Sequence, residues 1–306
     1  MKGGMEEELA RVEVFLGDVQ NLPTLPEMVG KLNKMLSDPE VDIARVAELI
    51  LKDPVLTAHV LRLANSSFFA KHRQITNVRE AVVFLGFRAL RNLVITTLLV
   101  GSFRWKYPNV NPRRFWEHSF ATAIVAQEIG KRLAYPDLDE AYLAGLVHDL
   151  GIILISQYLP DKMIEISRVI EKESIALFQA EEKVLGVGHP AFGAWLAQKW
   201  KFDAGLLATI FYHERPEQCN EACPLVALVS LADVFCRSSN LGYGVVEYWS
   251  TVMQQHPAWS ILQREFPVLA DTDWVRFRLD LQSKAEEIRV LVKTVFESTT
   301  EQAVTE

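Results

Sequence analysis

Three cysteines in 306 residues, Cys219, Cys223 and Cys236, are too few and too odd in number for a disulfide framework. They suit a reducing compartment, and Cys219 and Cys223 lack the second pair that a zinc site needs, so all three read as buried or incidental thiols. An excess of positive charge is also missing. With 32 basic against 39 acidic residues the net charge is −7, which removes the electrostatic ground for a nucleic-acid or anionic-membrane partner. The opening stretch, MKGGMEEELARVEVFLGD, has no apolar centre of the kind a secretory signal carries, so the expected location is the cytoplasm. The most membrane-like run, NLVITTLLVGSF at 92–103, is well short of the roughly 20 residues that span a bilayer and reads as a buried helix. Alternating apolar runs joined by Asn-Gly or Asp-Gly turns are absent, which argues against β-hairpin architecture.

What remains is helical. Apolar residues make up 49% of the chain, enough for a substantial core, and they recur at three- and four-residue spacing, so the predicted class is all-α and multi-helical. Helix starts are written at Asp53-Pro54, where a carboxylate can cap and proline opens the helix, and at Asn77-x-x-Glu80, a capping box. Further starts are expected at Asp38-Pro39, near Pro112 and at His189-Pro190. The amphipathic stretch DPVLTAHVLRLANSSFF ends in polar Asn65 and Ser66, which read as helix-junction stitching before they read as ligand contacts. Phe68 and Phe69 after them read as core. No repeat of fixed period is visible, and the last residues, TTEQAVTE, look frayed.

Against that apolar background a few polar residues stand out. His148 and Asp149 sit side by side in LAGLVHDLGIILI, and Asp233 follows nine uncharged, mostly aliphatic positions in CPLVALVSLADVFCR. A buried carboxylate costs several kcal/mol or more unless it is paired or bound to a metal. Four of the seven histidines, His118, His148, His189 and His213, fall in the same part of the chain. Neutral imidazole and carboxylate are standard ligands for a divalent cation, which would neutralise both aspartates at once. A lone histidine or aspartate on an apolar face is usually satisfied by a backbone carbonyl or an arginine. Six of them on separate helices would require that coincidence to recur.

These residues resemble a known family. FWEHSFATAIVAQEIG, AYLAGLVHDLGIILI and LVSLADVFCR look like the successive H, HD and D elements of the HD superfamily of metal-dependent phosphohydrolases. GVGHPAFGAWLAQKW and FYHERPE look like the two extra histidine elements of the HD-GYP branch. The resemblance implies that His118, His148, Asp149 and Asp233 hold one metal, with His189 and His213 completing a second site that shares Asp149. The cofactor implied is one or two divalent ions, iron, manganese or zinc. Closer still is the likeness of LPTLPEMVGKLNKMLSDPEVDIARVAELILKDPVLTAHVLRLANSSFFAKHRQITNVREAVVFLGFRALRNLVITTLLV to the first half of an HDOD domain. Leu25-Pro26, Asp53-Pro54, Leu61, Asn65-Ser66, Ala81 and Leu85-Gly86 carry it. The implied layout is an N-terminal helical lead-in at 1–19, an HDOD domain at 20–216 with an N-terminal half at 20–110 and an HD-like half at 111–216, and C-terminal helices at 217–306 that bring in Asp233.

Two function classes follow from the resemblance. HDOD domains are regarded as non-catalytic relatives of HD phosphohydrolases in bacterial signalling and regulatory proteins, many without the metal ligands, and this sequence keeps them. The first class is therefore a binding module acting on a signalling protein partner or a small phosphorylated ligand. The second is a metal-dependent phosphodiesterase or nucleotide phosphatase, in which bound metal lowers the pKa of water and polarises a phosphoryl oxygen. Departures from the catalytic pattern weigh on that class: the lysine that HD-GYP enzymes carry after HD is Ile152 here, their paired histidines become Tyr212-His213, and PEQCNEACP stands where the Gly-Tyr-Pro signature belongs. Arg215 and Lys183 are available for a phosphate. Glu117, Glu182 and Glu214 are acid or base candidates by adjacency alone, and each reads first as a solvated surface charge. A purely structural metal is the third idea.

Overall fold

The computed structural model describes residues 2–17, 42–65, 74–103, 110–220, 223–239 and 253–271, with isolated positions 19, 22, 241, 242, 273, 275, 276, 279, 280 and 289. Every regular element among them is a helix. They group into two compact units, one drawn from residues 23–104 and one that joins the first helix, α1 (Lys2–Leu16), to residues 105–282. Ser66, Phe68, Phe69, Asp38-Pro39 and most of 272–306 lie outside the described residues.

In the first unit α2 (Ile43–Leu51), α3 (Pro54–Ala64) and α4 (Val78–Ser102) pack around Val46, Ile50, Leu56, Val60, Val82 and Leu90. The junctions between them are closed by short polar side chains. Asp42 Oδ1 caps α2 through Ala44 N at 2.8 Å, and Asp53 Oδ1 accepts from Leu56 N at 3.1 Å, so the carboxylate before Pro54 caps α3 as its sequence implies. Asn77 Oδ1 accepts from Glu80 N at 2.8 Å, the forward arm of the capping box. The return arm lands one residue early, because Glu80 Oε2 accepts from Thr76 N at 3.0 Å. Asn65 stitches the end of α3 to the approach of α4: its Nδ2 donates to Leu61 O at 2.8 Å and Ile75 O at 2.7 Å, while its Oδ1 accepts from Ile75 N at 2.7 Å. The run 92–103 ends α4 and supplies its C-cap, Phe103, with Val94, Ile95, Leu99 and Val100 buried along it, and the helix bends earlier, at Gly86, where φ is 75°.

The second unit is organised on α5 (Pro112–Leu133), whose fully buried Phe115, Trp116 and Phe120 fix it at the centre. Asn111 starts it by accepting from Arg113 N and Arg114 N at 3.0 and 3.2 Å, with Pro112 in the first turn. Around it run α6 (Leu138–Val147), α7 (Leu150–Tyr158), α8 (Pro160–Glu173), α9 (Leu177–Leu185), α10 (His189–Lys199), α11 (Ala204–Tyr212), α12 (Cys223–Ser238) and α13 (Pro257–Glu265). α5 packs on α6 and α12, and α10 packs on α7, α11 and α1. The acidic first helix is thus part of this unit, with Phe15 against Phe192 at 6.0 Å between ring centres and Glu13 accepting from the Trp195 indole. Cys219 and Cys236 are buried thiols that form no disulfide, and burial pushes the Cys236 thiol up to about 12.

Candidate metal centre

Five elements of the second unit deliver polar side chains to one buried spot. His118 comes from α5 and Asp233 from α12; His189 is the first residue of α10 and His213 directly follows α11. His148 and Asp149 occupy the turn between α6 and α7. Asp149 stands where a helix N-cap would be, yet its carboxylate makes no capping bond to α7 and turns instead toward the imidazoles.

Glycines make the convergence possible. A Cβ on Gly145 would lie 2.8 Å from Ala123 Cα, so only glycine lets α6 approach α5 there, one turn before His148. A Cβ on Gly151 would lie 1.9 Å from His189 O, so the same holds for α7 against α10, two residues after Asp149.

Asp149 is the hub. Its Oδ2 lies 2.8 Å from His148 Nε2 and 3.3 Å from His118 Nε2, and its Oδ1 lies 3.2 Å from both His189 Nε2 and His213 Nε2. Asp233 Oδ1 is 3.1 Å from His118 Nε2. All six residues are at most 1% exposed. Each ring is held from behind through Nδ1, by Leu241 O at 2.7 Å for His118, Gly145 O at 2.7 Å for His148, Ile210 O at 2.9 Å for His213 and Glu181 Oε2 at 2.7 Å for His189. A carbonyl only accepts, so Nδ1 carries the proton in His118, His148 and His213, and a neutral ring there turns the bare Nε2 lone pair to the centre.

Electrostatics sharpen the point. Burial pushes His148 and His213 below the ordinary imidazole range, toward the neutral form, against the pull of Asp149. Burial also opposes a charge on His189, but the Glu181 and Asp149 carboxylates outweigh it and raise that ring to about 10. Burial works against Asp149 as well, yet the surrounding imidazoles hold its carboxyl well below the usual range. The ring Nε2 atoms and the Asp149 carboxylate thus crowd one another in a fully buried space, an arrangement that a cation between them would satisfy. His148 Nε2 makes no hydrogen bond among the described residues despite its closeness to Asp149.

The donor set fits a divalent ion. Ligand bonds of about 2.1 Å put neighbouring donor atoms about 3.0 Å apart in an octahedron and about 3.4 Å apart in a tetrahedron. The contacts around Asp149, from 2.8 to 3.3 Å, fall in or just below that range. Among the described residues three overlapping donor groups have suitable spacing for an ion: His118, His148 and Asp233; His148, Asp149 and His213; and His189, His213 and Glu214.

The chemistry of this cluster and the helices that build it match a family. The HDOD domain family model matches residues 22–216. The chain belongs to the HDOD domain family. A crystal structure of an HDOD domain protein of unknown function from Geobacter sulfurreducens is 30% identical, with a TM-score of 0.79 over 92% of this chain and 98% of that one. That of a candidate phosphohydrolase from Shewanella amazonensis SB2B is 26% identical, with a TM-score of 0.71 over 92% of this chain and 97% of that one. An uncharacterized protein of Treponema pallidum (strain Nichols) is 27% identical over 222 residues, which are 72% of this HDOD chain and 43% of that protein, so the chain spans less than half of that relative's length. Among the described residues no helix is long and apolar enough to cross a membrane.

Every one of the six residues singled out by composition and resemblance comes to this centre. The adjacent glutamates divide. Glu182 is partly exposed and pairs with Arg215 at 3.2 Å, in keeping with a surface charge. Glu117 and Glu214 are not solvated: Glu117 is buried against Arg113 at 3.1 Å, and Glu214 reaches Arg237 at 2.9 Å, because the helix ends that carry them turn inward. Arg215 also lies 3.6 Å from Glu8, and Lys183 pairs with Glu173, so both are engaged in ion pairs. Two residues of the site are not singled out by the sequence motifs. Glu181 accepts from both the backbone N and Nδ1 of His189 at 2.7 Å, and nothing in QAEEKVL marks it out from Glu182. Arg237 forks onto Asp233, and its position one helical turn after that aspartate was a readable signal.

Proposed function

We propose that this HDOD protein is a regulatory binding module that carries a divalent metal at the His118, His148, Asp149, His189, His213 and Asp233 centre. The observation that supports the metal is the common posture of the imidazoles, with Nδ1 engaged behind and Nε2 turned to Asp149. Glu181 would orient His189 and raise its basicity as a ligand, the usual part of an outer carboxylate. A bound divalent ion would supply Lewis acidity and a water of lowered pKa. Two features favour binding over turnover: the donor residues are almost wholly buried, and Ile152 stands in place of the lysine that would meet phosphate charge. The partner fitting this reading is a signalling protein or a small phosphorylated ligand.

The second reading is a metal-dependent phosphohydrolase, favoured by a complete donor set and by the likeness to the Shewanella protein of that description. Elemental analysis of purified chain beside Asp149→Ala separates the cases when joined to a hydrolysis assay with bis-p-nitrophenyl phosphate. The expected result is near-stoichiometric metal in wild type, none in the variant, and no hydrolysis above the variant's level. Metal-dependent hydrolysis lost in Asp149→Ala would establish the enzyme instead, and the absence of metal from both proteins after reloading would overturn the metal reading.

A further inference from the structure

We propose that Arg237 is a built-in cation that holds the centre to a single divalent ion on Asp149. The inference rests on the metal reading and concerns how many ions the site takes. Asp149 is two-sided: Oδ2 faces His118 and His148, and Oδ1 faces His189 and His213, which by itself suits a carboxylate bridging two ions. Each side also has a second carboxylate, Asp233 beside His118 and Glu214 beside His189 at 3.9 Å.

Arg237 takes both of those second carboxylates. Its Nε donates to Asp233 Oδ1 at 2.8 Å, and its Nη2 donates to Asp233 Oδ2 and to Glu214 Oε1, the latter at 2.9 Å. An aspartate and an arginine one helical turn apart are ordinarily a solvent-exposed pair of little consequence. Here the arginine side chain is 4% exposed, the aspartate 1% and the glutamate 10%, and the fork crosses from α12 to the segment after α11. A guanidinium does not lose its proton in a protein, so the charge is permanent.

Of the three donor groups with metal-like spacing, one runs through Asp233 and one through Glu214. Only the group of His148, Asp149 and His213 is free of the arginine's carboxylates. An ion on either side position would have to compete with a bidentate guanidinium for its carboxylate and would lie next to that positive charge. An ion on Asp149 faces neither cost.

The test is metal stoichiometry, read on wild type and Arg237→Met stripped of metal, reloaded with manganese(II) and freed of excess. Wild type is expected to hold one ion per chain with the spectrum of an isolated manganese centre in electron paramagnetic resonance, and Arg237→Met to hold two, a twofold rise. Arg237→Lys, which keeps the charge, is expected to stay at one. Two ions in wild type, seen as a spin-coupled spectrum, overturn the proposal even if Arg237→Met does not fold. One ion in both wild type and a folded Arg237→Met sinks the arginine's role and leaves the metal reading standing. No ion in either overturns both.

Discussion

The two units bury polar side chains for opposite ends. In α2–α4 the polar side chains at the helix junctions close on backbone: Asn65 on Ile75 and Leu61, Asp53 on Leu56, and Thr57 Oγ1 on Ile50 O at 3.0 Å. Those bonds consume the donors and acceptors that helix ends leave over. In the second unit the side chains at the centre turn their reactive atoms on one another, and backbone carbonyls only steady them from behind. Polar groups satisfied by backbone are architecture. Buried imidazoles and carboxylates turned on one another are a donor set that could hold a cation.

Gly151→Ala breaks this contrast most severely, because it attacks packing and site together. The added methyl would sit 1.9 Å from His189 O, and backbone cannot yield that much without parting α7 from α10. Overpacking of this kind costs about 3 kcal/mol or more. Urea denaturation should show that loss, and elemental analysis should show metal falling with it. Gly151→Ala protein with wild-type stability would mean that the α7 and α10 contact does not set the position of His189.

Asn65→Ala probes the opposite unit. It removes the bonds to Ile75 N and O and leaves those backbone groups to find other partners, at a cost of about 2 kcal/mol. Metal content per folded chain is expected to be unchanged. If metal is lost as well, the two units are coupled and the contrast between them is weaker than their hydrogen bonds imply.

The contrast also explains what the sequence made legible. Helix class, the caps at Asp53 and Asn77 and the convergence of the six residues around Asp149 are readable because each rests on local spacing or on a rare residue type in apolar company. Glu117 and Glu214 read as surface charges in the sequence yet are buried or nearly so, since their burial depends on which way a helix end faces, and no local pattern records that. Glu181 was invisible for the same reason: it differs from Glu182 only in the face of α9 it occupies. The spacing of Arg237 from Asp233 is plain in the sequence, but such pairs are common, and only burial and the third partner, Glu214, set this one apart.

Glu181→Gln is the mildest of these changes and isolates charge from geometry. Glu181 Oε2 accepts from the backbone N and the Nδ1 of His189, both at 2.7 Å, and the glutamine carbonyl can accept both bonds in the same place. What the substitution removes is the negative charge that makes His189 more basic and, on the proposed metal reading, a better ligand. Outer-shell changes typically weaken metal binding by about 10- to 100-fold, and the retained hydrogen bonds place this one at the low end, about 10-fold, with little change in stability. Competition with a chelator of known affinity measures it, and urea denaturation checks the fold. Full loss of metal would mean that Glu181 works as a direct ligand. Unchanged affinity would remove His189 from the centre's working donors and leave Asp149 with the three rings held by backbone carbonyls.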